Sequence, residues 1–150
     1  MGVISPVGND VDTFWDNLCN GVCGIEAIKA FPTDNLPVGI AGIIKDFKAE
    51  EYGMDKPFIR KQDLFTQYGV AAAYQAMKQA GLASQGEGQN IDPFRLGVYF
   101  GSGIGGFATQ FREISKMIED PSGQWISPLF IPTMISNIAA GHIAIMHHAE

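Results

Sequence analysis

Ser127 to Met146 (SPLFIPTMISNIAAGHIAIM) constrains this chain more than any other stretch. It opens on a run punctuated by Pro128 and Pro132, then becomes uncharged and helix-like, with Ser136, Ala139, Ala140 and Gly141 as small residues. A helix that is apolar nearly all round is expected inside a protein, with other layers on every side. Glu150 follows only four residues later, so little of the chain is expected to remain for covering it. From Ile131 to Met146 the run is about 16 residues and carries Asn137 and His142, whereas a membrane span needs roughly 20. A core helix is the expected use, and no membrane partner is implied.

The rest of the chain alternates helical patterns with short apolar runs. Asn9 is expected to cap a first helix on which Val11, Phe14, Trp15, Leu18 and Val22 recur at helical spacing. Val38 to Ile44 reads as a short buried strand, and Asp46 to Pro57 as loop and turn. Gln62 to Gly81 is expected to be one helix with Leu64, Phe65, Tyr68, Ala72 and Met77 on its apolar face and Gly81 as its terminating glycine. Gly86 to Asp92 is a polar loop. Leu96 to Phe100 reads as a buried strand running into Gly101-Ser102-Gly103-Ile104-Gly105-Gly106, and a helix over about Phe107 to Glu119 follows, stopped by Asp120-Pro121. This alternation predicts the α/β class, with no repeat and no linker dividing residues 1–150.

Charge and cysteine content exclude several functions. With 10 basic and 16 acidic residues the net charge is −6, so the chain lacks the basic footprint of a nucleic-acid binder. The opening MGVISPVGND has neither the basic nor the apolar region of a secretory signal, and two cysteines are too few for a disulfide framework. A cytoplasmic protein is expected.

Four groups of residues invite a chemical reading. Gly101, Gly103 and Gly106 satisfy G-x-G-x-x-G between a strand and a helix, the context of a dinucleotide fingerprint. The acidic residues about 20 positions on, Glu119 and Asp120, stand at a helix end rather than at a strand tip, so a close backbone approach is the simpler use of these glycines. His142, His147 and His148 are spaced by five and six residues and do not share a ligand-bearing helical face, so no metal is expected. Cys19 and Cys23 have no neighbouring base or cation in the sequence and are expected to be small buried hydrophobes. Lys56, Arg60 and Lys61, with Lys45 and Lys48 upstream, form a basic cluster in an acidic chain. Set at the start of the helix expected from Gln62, they would oppose its dipole, which a docking surface for an acidic partner would justify.

Four segments, in order, resemble the elongating β-ketoacyl-acyl-carrier-protein synthases. Met1 to Ile28 is similar to the family's opening turn and first helix, with the S-P-V-G corner. Arg60 to Leu82 resembles its R-K-M-D-x-F-x-x-Y-A-x-x-A-A helix. Leu96 to Gly106 resembles its strand followed by G-S-G-I-G-G, and Ser127 to Met146 its S-P-x-x-x-P…N…A-G-x-I-A-I segment.

The resemblance implies an incomplete thiolase-like αβαβα fold, drawn from its N-terminal half, and usually a homodimer. It implies decarboxylative Claisen condensation in fatty-acid or polyketide synthesis, with acyl and malonyl groups delivered by an acyl carrier protein and no cofactor. Gly103 and Ile104 match positions bordering the acyl-chain pocket. Phe130, Ile131 and Ile135 match positions lining it, partly across the dimer interface. Lys56, Arg60 and Lys61 fall near the edge that docks the carrier protein, while Gln124 and Trp125 stand where the family often has further basic residues. Neither Cys19, Cys23 nor any histidine matches a catalytic position. The family's first strand and its T-A-C-x-S nucleophile motif lie outside these residues, so the chain is expected to be an inactive fragment. The other uses that the residues leave open are a non-catalytic carrier-docking or dimerisation module and a nucleotide-binding domain built on GSGIGG.

Overall fold

The computed structural model describes residues 1–82 and 91–150, which leaves most of the polar loop expected over 86–92 outside the described residues. The S-P-V-G corner forms a tight turn in which Ser5 and Gly8 exchange backbone hydrogen bonds of 2.9 and 3.2 Å. Helix α1 (Val11–Cys19) starts one residue later than expected. Asp10 is the cap, accepting from the Thr13 N–H at 2.8 Å, whereas the Asn9 amide donates to the Lys45 carbonyl at 2.6 Å. Strands β1 (Ile25–Ala27) and β2 (Ile40–Gly42) pair antiparallel, with Ile25 opposite Gly42 and Ala27 opposite Ile40. The strand expected over Val38 to Ile44 is therefore shorter, and it is not buried. Val38 and Ile40 stay more than half exposed because no second layer covers this ribbon among the described residues. The stretch expected to be loop carries a 3₁₀ turn, Ala49–Tyr52, and the start of α2 (Lys56–Lys61), capped by Asp55.

The helix expected over Gln62 to Gly81 forms, two residues shorter at each end, and the short α2 stands separately before it. The backbone turns extended at Gln62 and Asp63, and α3 (Leu64–Gln79) begins anew with Asp63 as its cap. Gln67 spans the break, its amide donating to the carbonyls of Ile59 and Gln62 at 3.1 and 2.9 Å. At the other end, Leu82 donates to the Met77 carbonyl and Gly81 (φ +69°) to that of Lys78, a Schellman closure on the expected glycine. The buried face of α3 is Thr66, Gln67, Gly69, Val70 and Ala71, while Leu64 is half exposed. Apolar periodicity misses this because buried hydrogen bonds and close packing, not side-chain bulk, select that face. A Cβ on Gly69 would come within 2.8 Å of the Phe100 ring.

The core gathers Ala49, Met54, Val70, Ala71 and Ile143, with Phe47, Phe58, Val98 and Phe100 packed around them. Helix α6 (Ile138–His147) lies on α3 through Ala139, Ile143 and His147, but Ile145 on its far side is 73% exposed, so one stripe is buried rather than the whole surface. Residues 96–100 are extended and alternate inward Leu96, Val98 and Phe100 with outward Gly97 and Tyr99. They form no strand, contrary to expectation, because no neighbouring strand pairs with them among the described residues. Among those residues, too, no helix is long and apolar enough to cross a membrane.

Helix α4 (Phe107–Glu119) keeps the expected limits but turns polar side chains inward. Glu113 is only 1% exposed at its side chain. It accepts from Lys116 at 2.9 Å, from Arg112 at 3.0 Å and from the Ser127 N–H at 2.9 Å, tying α4 to the turn that leads into α5 (Phe130–Met134). The Lys116 hydrogen bond foremost, then that from Ser127, hold its carboxyl down to about 2 from an ordinary 4.5, against the opposing effect of burial. Outward, Phe107, Phe111, Ile114 and Ile118 form an apolar stripe at helical spacing, all exposed.

Two outcomes follow from α4. A stripe of that kind drives association in water, so the chain sediments as an associated species. Phe111→Lys with Ile118→Lys shifts it to smaller ones in analytical ultracentrifugation; a monodisperse wild-type monomer would contradict this. Because the folded pKa of Glu113 lies below its ordinary value, its stabilisation is complete above about pH 4.5 and is lost as pH falls toward 2. Glu113→Gln costs about 1–2 kcal/mol near neutrality, and the difference in thermal unfolding from wild type closes across that acid range.

Candidate functional site

The glycine-rich run after residue 100 folds as a bend whose position is set by contact with α5. Gly105 adopts φ +79°, its N–H donating to the Ser102 hydroxyl at 3.0 Å, and a Cβ there would sit 2.3 Å from the Met134 carbonyl oxygen. The next N–H, of Gly106, donates to that same carbonyl at 2.9 Å. A Cβ on Gly106 would be 2.9 Å from Met134 Cα and 3.1 Å from Asp63 Oδ2. Gly105 and Gly106 are therefore required by close approach; of the three glycines in the G-x-G-x-x-G pattern this holds for Gly106 alone, since a Cβ on Gly101 or Gly103 would meet nothing within 4 Å.

The dinucleotide reading fails on geometry. No strand leads directly into the run, since residues 96–100 pair with none among the described residues, and the anion-attracting start of α4 is occupied by the protein's own carboxylate. Asp63 Oδ2 accepts from the Thr109 N–H at 2.9 Å and from the Thr109 hydroxyl at 2.7 Å, while its Oδ1 accepts from Phe65 N–H at 3.3 Å. A pyrophosphate would have to displace an acid that is itself nine-tenths buried.

The five expected acyl-pocket residues lie around this junction. Gly103 and Ile104 precede Gly105 in the bend; Phe130 and Ile131 open α5, and Ile135 follows Met134 directly. The structure thus brings the two sequence segments together through Gly105, Gly106 and Met134. Ile104 is 62% exposed and Ile131 56%, so they offer open apolar surface and belong to no closed core. A third contact joins this region to α2, as the Thr133 hydroxyl donates to the Lys61 carbonyl at 3.1 Å.

The basic residues divide into two kinds. Lys45 pairs with Glu26 at 3.0 Å and Lys48 with Glu51 at 3.4 Å. Lys56, Arg60 and Lys61 are all exposed on α2, and none has an acidic partner among the described residues. Arg60 and Lys61 occupy the last turn of α2, where the dipole favours them, so the electrostatic tension expected of them is absent. What marks them is unneutralised charge.

Other expectations need correction. Cys19 and Cys23 are both exposed, since α1 ends at Cys19 and buries no residue. His147 lies in the buried stripe of α6. His142 meets Phe58 edge-on at 4.9 Å, and burial pushes its pKa below the ordinary 6.5, so it is neutral at pH 7. It helps line a cleft of about 620 Å³ with Met54, Phe58 and Met146, and that cleft holds no cysteine. Sequence reasoning misses Asp63 and Thr109. The acid just ahead of an apolar helix signals a cap, but nothing local signals a partner 46 residues away.

The family description "Beta-ketoacyl synthase, N-terminal domain" matches residues 1–150. The chain is 40% identical over 145 residues to the 3-oxoacyl-[acyl-carrier-protein] synthase 2 of Staphylococcus aureus and 42% over 146 residues to that of Vibrio cholerae. Each alignment covers 97% of this chain but 34% of the relative, so the chain spans about a third of the length of these curated proteins. Its fold is similar to a solved structure of a type II polyketide-synthase acyl-carrier protein in complex with its ketosynthase, with a TM-score of 0.72 and 22% identity, covering 99% of this chain and 37% of that one. The fold is thus the corresponding portion of the thiolase-like architecture, and the chain belongs to the β-ketoacyl synthase family.

Proposed function

We propose that this chain supplies the carrier-docking edge and a section of the acyl-chain wall of a cytoplasmic, homodimeric β-ketoacyl synthase. The reaction served is decarboxylative Claisen condensation of an acyl thioester with malonyl-carrier protein in fatty-acid or polyketide synthesis. Carrying this reading is the set of three exposed cations on α2, Lys56, Arg60 and Lys61, left without acidic partners among the described residues of a chain of net charge −6. Unpaired cations of this kind steer and orient an acidic protein surface. That a ketosynthase has been solved in complex with its acyl-carrier protein supports the same partner. Ile104, Phe130, Ile131 and Ile135 supply the apolar side: an acyl tail gains about 0.8 kcal/mol for each CH₂ it buries against such side chains.

No catalytic role is assigned to Cys19, Cys23 or the histidines, and residues 1–150 bind without condensing. Holo-acyl-carrier protein binds the chain with an affinity that weakens as salt is raised, and Arg60→Glu with Lys61→Glu reduces it about tenfold or more. Calorimetric titration checks this, and an absence of binding by the wild type would remove the docking reading. Radiolabelled malonyl-carrier protein gives no condensation product above a no-protein control; product formation would refute the assignment of the chemistry to residues elsewhere.

A further inference from the structure

Lys61, the last cation of the proposed docking helix, and the two residues that join α2 to α3, Gln62 and Asp63, form a junction from which Lys61 and Asp63 reach across to the proposed acyl wall. The Lys61 carbonyl accepts from the Thr133 hydroxyl on α5. The Asp63 carboxylate accepts twice from Thr109 at the start of α4. Those two helices are joined to each other by the Gly106 N–H on the Met134 carbonyl. The three links close a ring whose corners are the α2–α3 junction, the GSGIGG bend and α5. Asp63, Gly106, Thr109 and Thr133 are all buried, so the Asp63–Thr109 bonds are shielded from water, whereas the Thr133–Lys61 bond is half-buried.

A local capping role alone does not account for Asp63. Its bond within α3, to Phe65 N–H, is the long one at 3.3 Å, whereas the bonds of 2.9 and 2.7 Å go to Thr109. A serine or threonine would cap α3 about as well without burying a charge. Ring closure also removes slack. With Gly106 bonded to the Met134 carbonyl and no room for a Cβ between Gly105 and Met134 or Ser136, α5 cannot slide without carrying the bend along. Ile104 and Ile135 sit one residue from these contacts, so their separation is set by the ring.

We propose that Asp63 is a positioning residue: through Thr109, and with the parallel Lys61–Thr133 bond, it fixes the acyl wall relative to the docking helix, so that carrier docking on α2 is felt at Ile104 and Ile135. This rests on the docking reading for the identity of what binds α2. The linkage itself is carried by the ring. Interaction free energy at one corner of a closed network shifts the other corners because no corner relaxes alone.

The test is hydrogen–deuterium exchange of the 150-residue chain with and without the carrier protein in its apo form, which has neither phosphopantetheine arm nor acyl group to touch the wall directly. Docking slows exchange over 56–62 and, through the ring, over 101–109 and 130–136. Thr109→Val keeps the shape of the side chain but removes its hydroxyl. It retains the slowing over 56–62 and reduces it over 101–109, and adding Thr133→Val, which cuts the parallel bond to Lys61, removes it from both other windows; Thr109→Ser restores it, and Asp63→Asn behaves as Thr109→Val does. Slowing confined to 56–62 in the wild type, or reaching 101–109 undiminished in Thr109→Val, overturns the inference while leaving docking intact. No slowing over 56–62 removes the docking reading and this inference with it. Should Asp63→Asn fail to fold, the Thr109 pair decides.

Discussion

A carboxylate enclosed to nine-tenths persists only where strong hydrogen bonds replace the water it has lost. Asp63 meets that condition with donors from two helices that are otherwise separate in the chain. Its neighbours in sequence end α2 and begin α3, and Thr109, the donor of its two shorter bonds, sits in the first turn of α4. The position of α4 fixes the bend before it, and the bend in turn abuts α5. Most of what gives this chain a functional surface is thereby referred to a single buried charge. A hydrophobic contact at the same place would hold the helices together but not in register, because apolar packing lacks the directionality of a carboxylate shared between an N–H and a hydroxyl.

Glu113 complements Asp63 about a turn further along α4. It secures Ser127, and so the turn that delivers Phe130 and Ile131, whereas Asp63 secures the start of the helix. Thr109 and Glu113, four residues apart, lie on the same side of α4, which explains why a helix with a strong apolar stripe shows that stripe to the outside. The inner face is already committed to ionic and hydrogen-bonded contacts. The Phe107–Ile118 stripe is left as a surface for other protein.

The fold is legible in the sequence wherever a local signal suffices. Gly81 ends α3 because a left-handed position is needed there, Asp120-Pro121 stops α4, and the S-P-V-G corner turns as its residues predict. Family resemblance is legible for the same reason, since its motifs are short and in order. The illegible features all depend on distant partners. Leu96 to Phe100 has the alternation of a strand, but a strand exists only if another lies beside it. The inward face of α3 is set by Gly69 admitting Phe100 and by Gln67 bridging back to α2, neither of which raises an apolar pattern. A free cysteine such as Cys19 is usually buried, yet α1 lies on the surface and buries none of its residues.

Charge on α2 shows how local and distant information combine. In the sequence, the clustering of Lys56, Arg60 and Lys61 is visible and the neutralisation of Lys45 and Lys48 is not, because Glu26 and Glu51 become partners only after folding. Folding thus sorts five cations into two that stabilise the structure weakly and three that remain for an outside partner. The same step removes the dipole argument, since the break at Asp63 places Arg60 and Lys61 at a helix end that welcomes them. Arg60 and Lys61 are exposed at the favoured end of α2, so their charges can be changed to test binding without unfolding the scaffold beneath, whereas Lys56 opens the helix, where the dipole opposes it. Asp63 stands only two residues from the last of those charges, and there the proposed docking edge and the acyl wall become a single connected piece of structure.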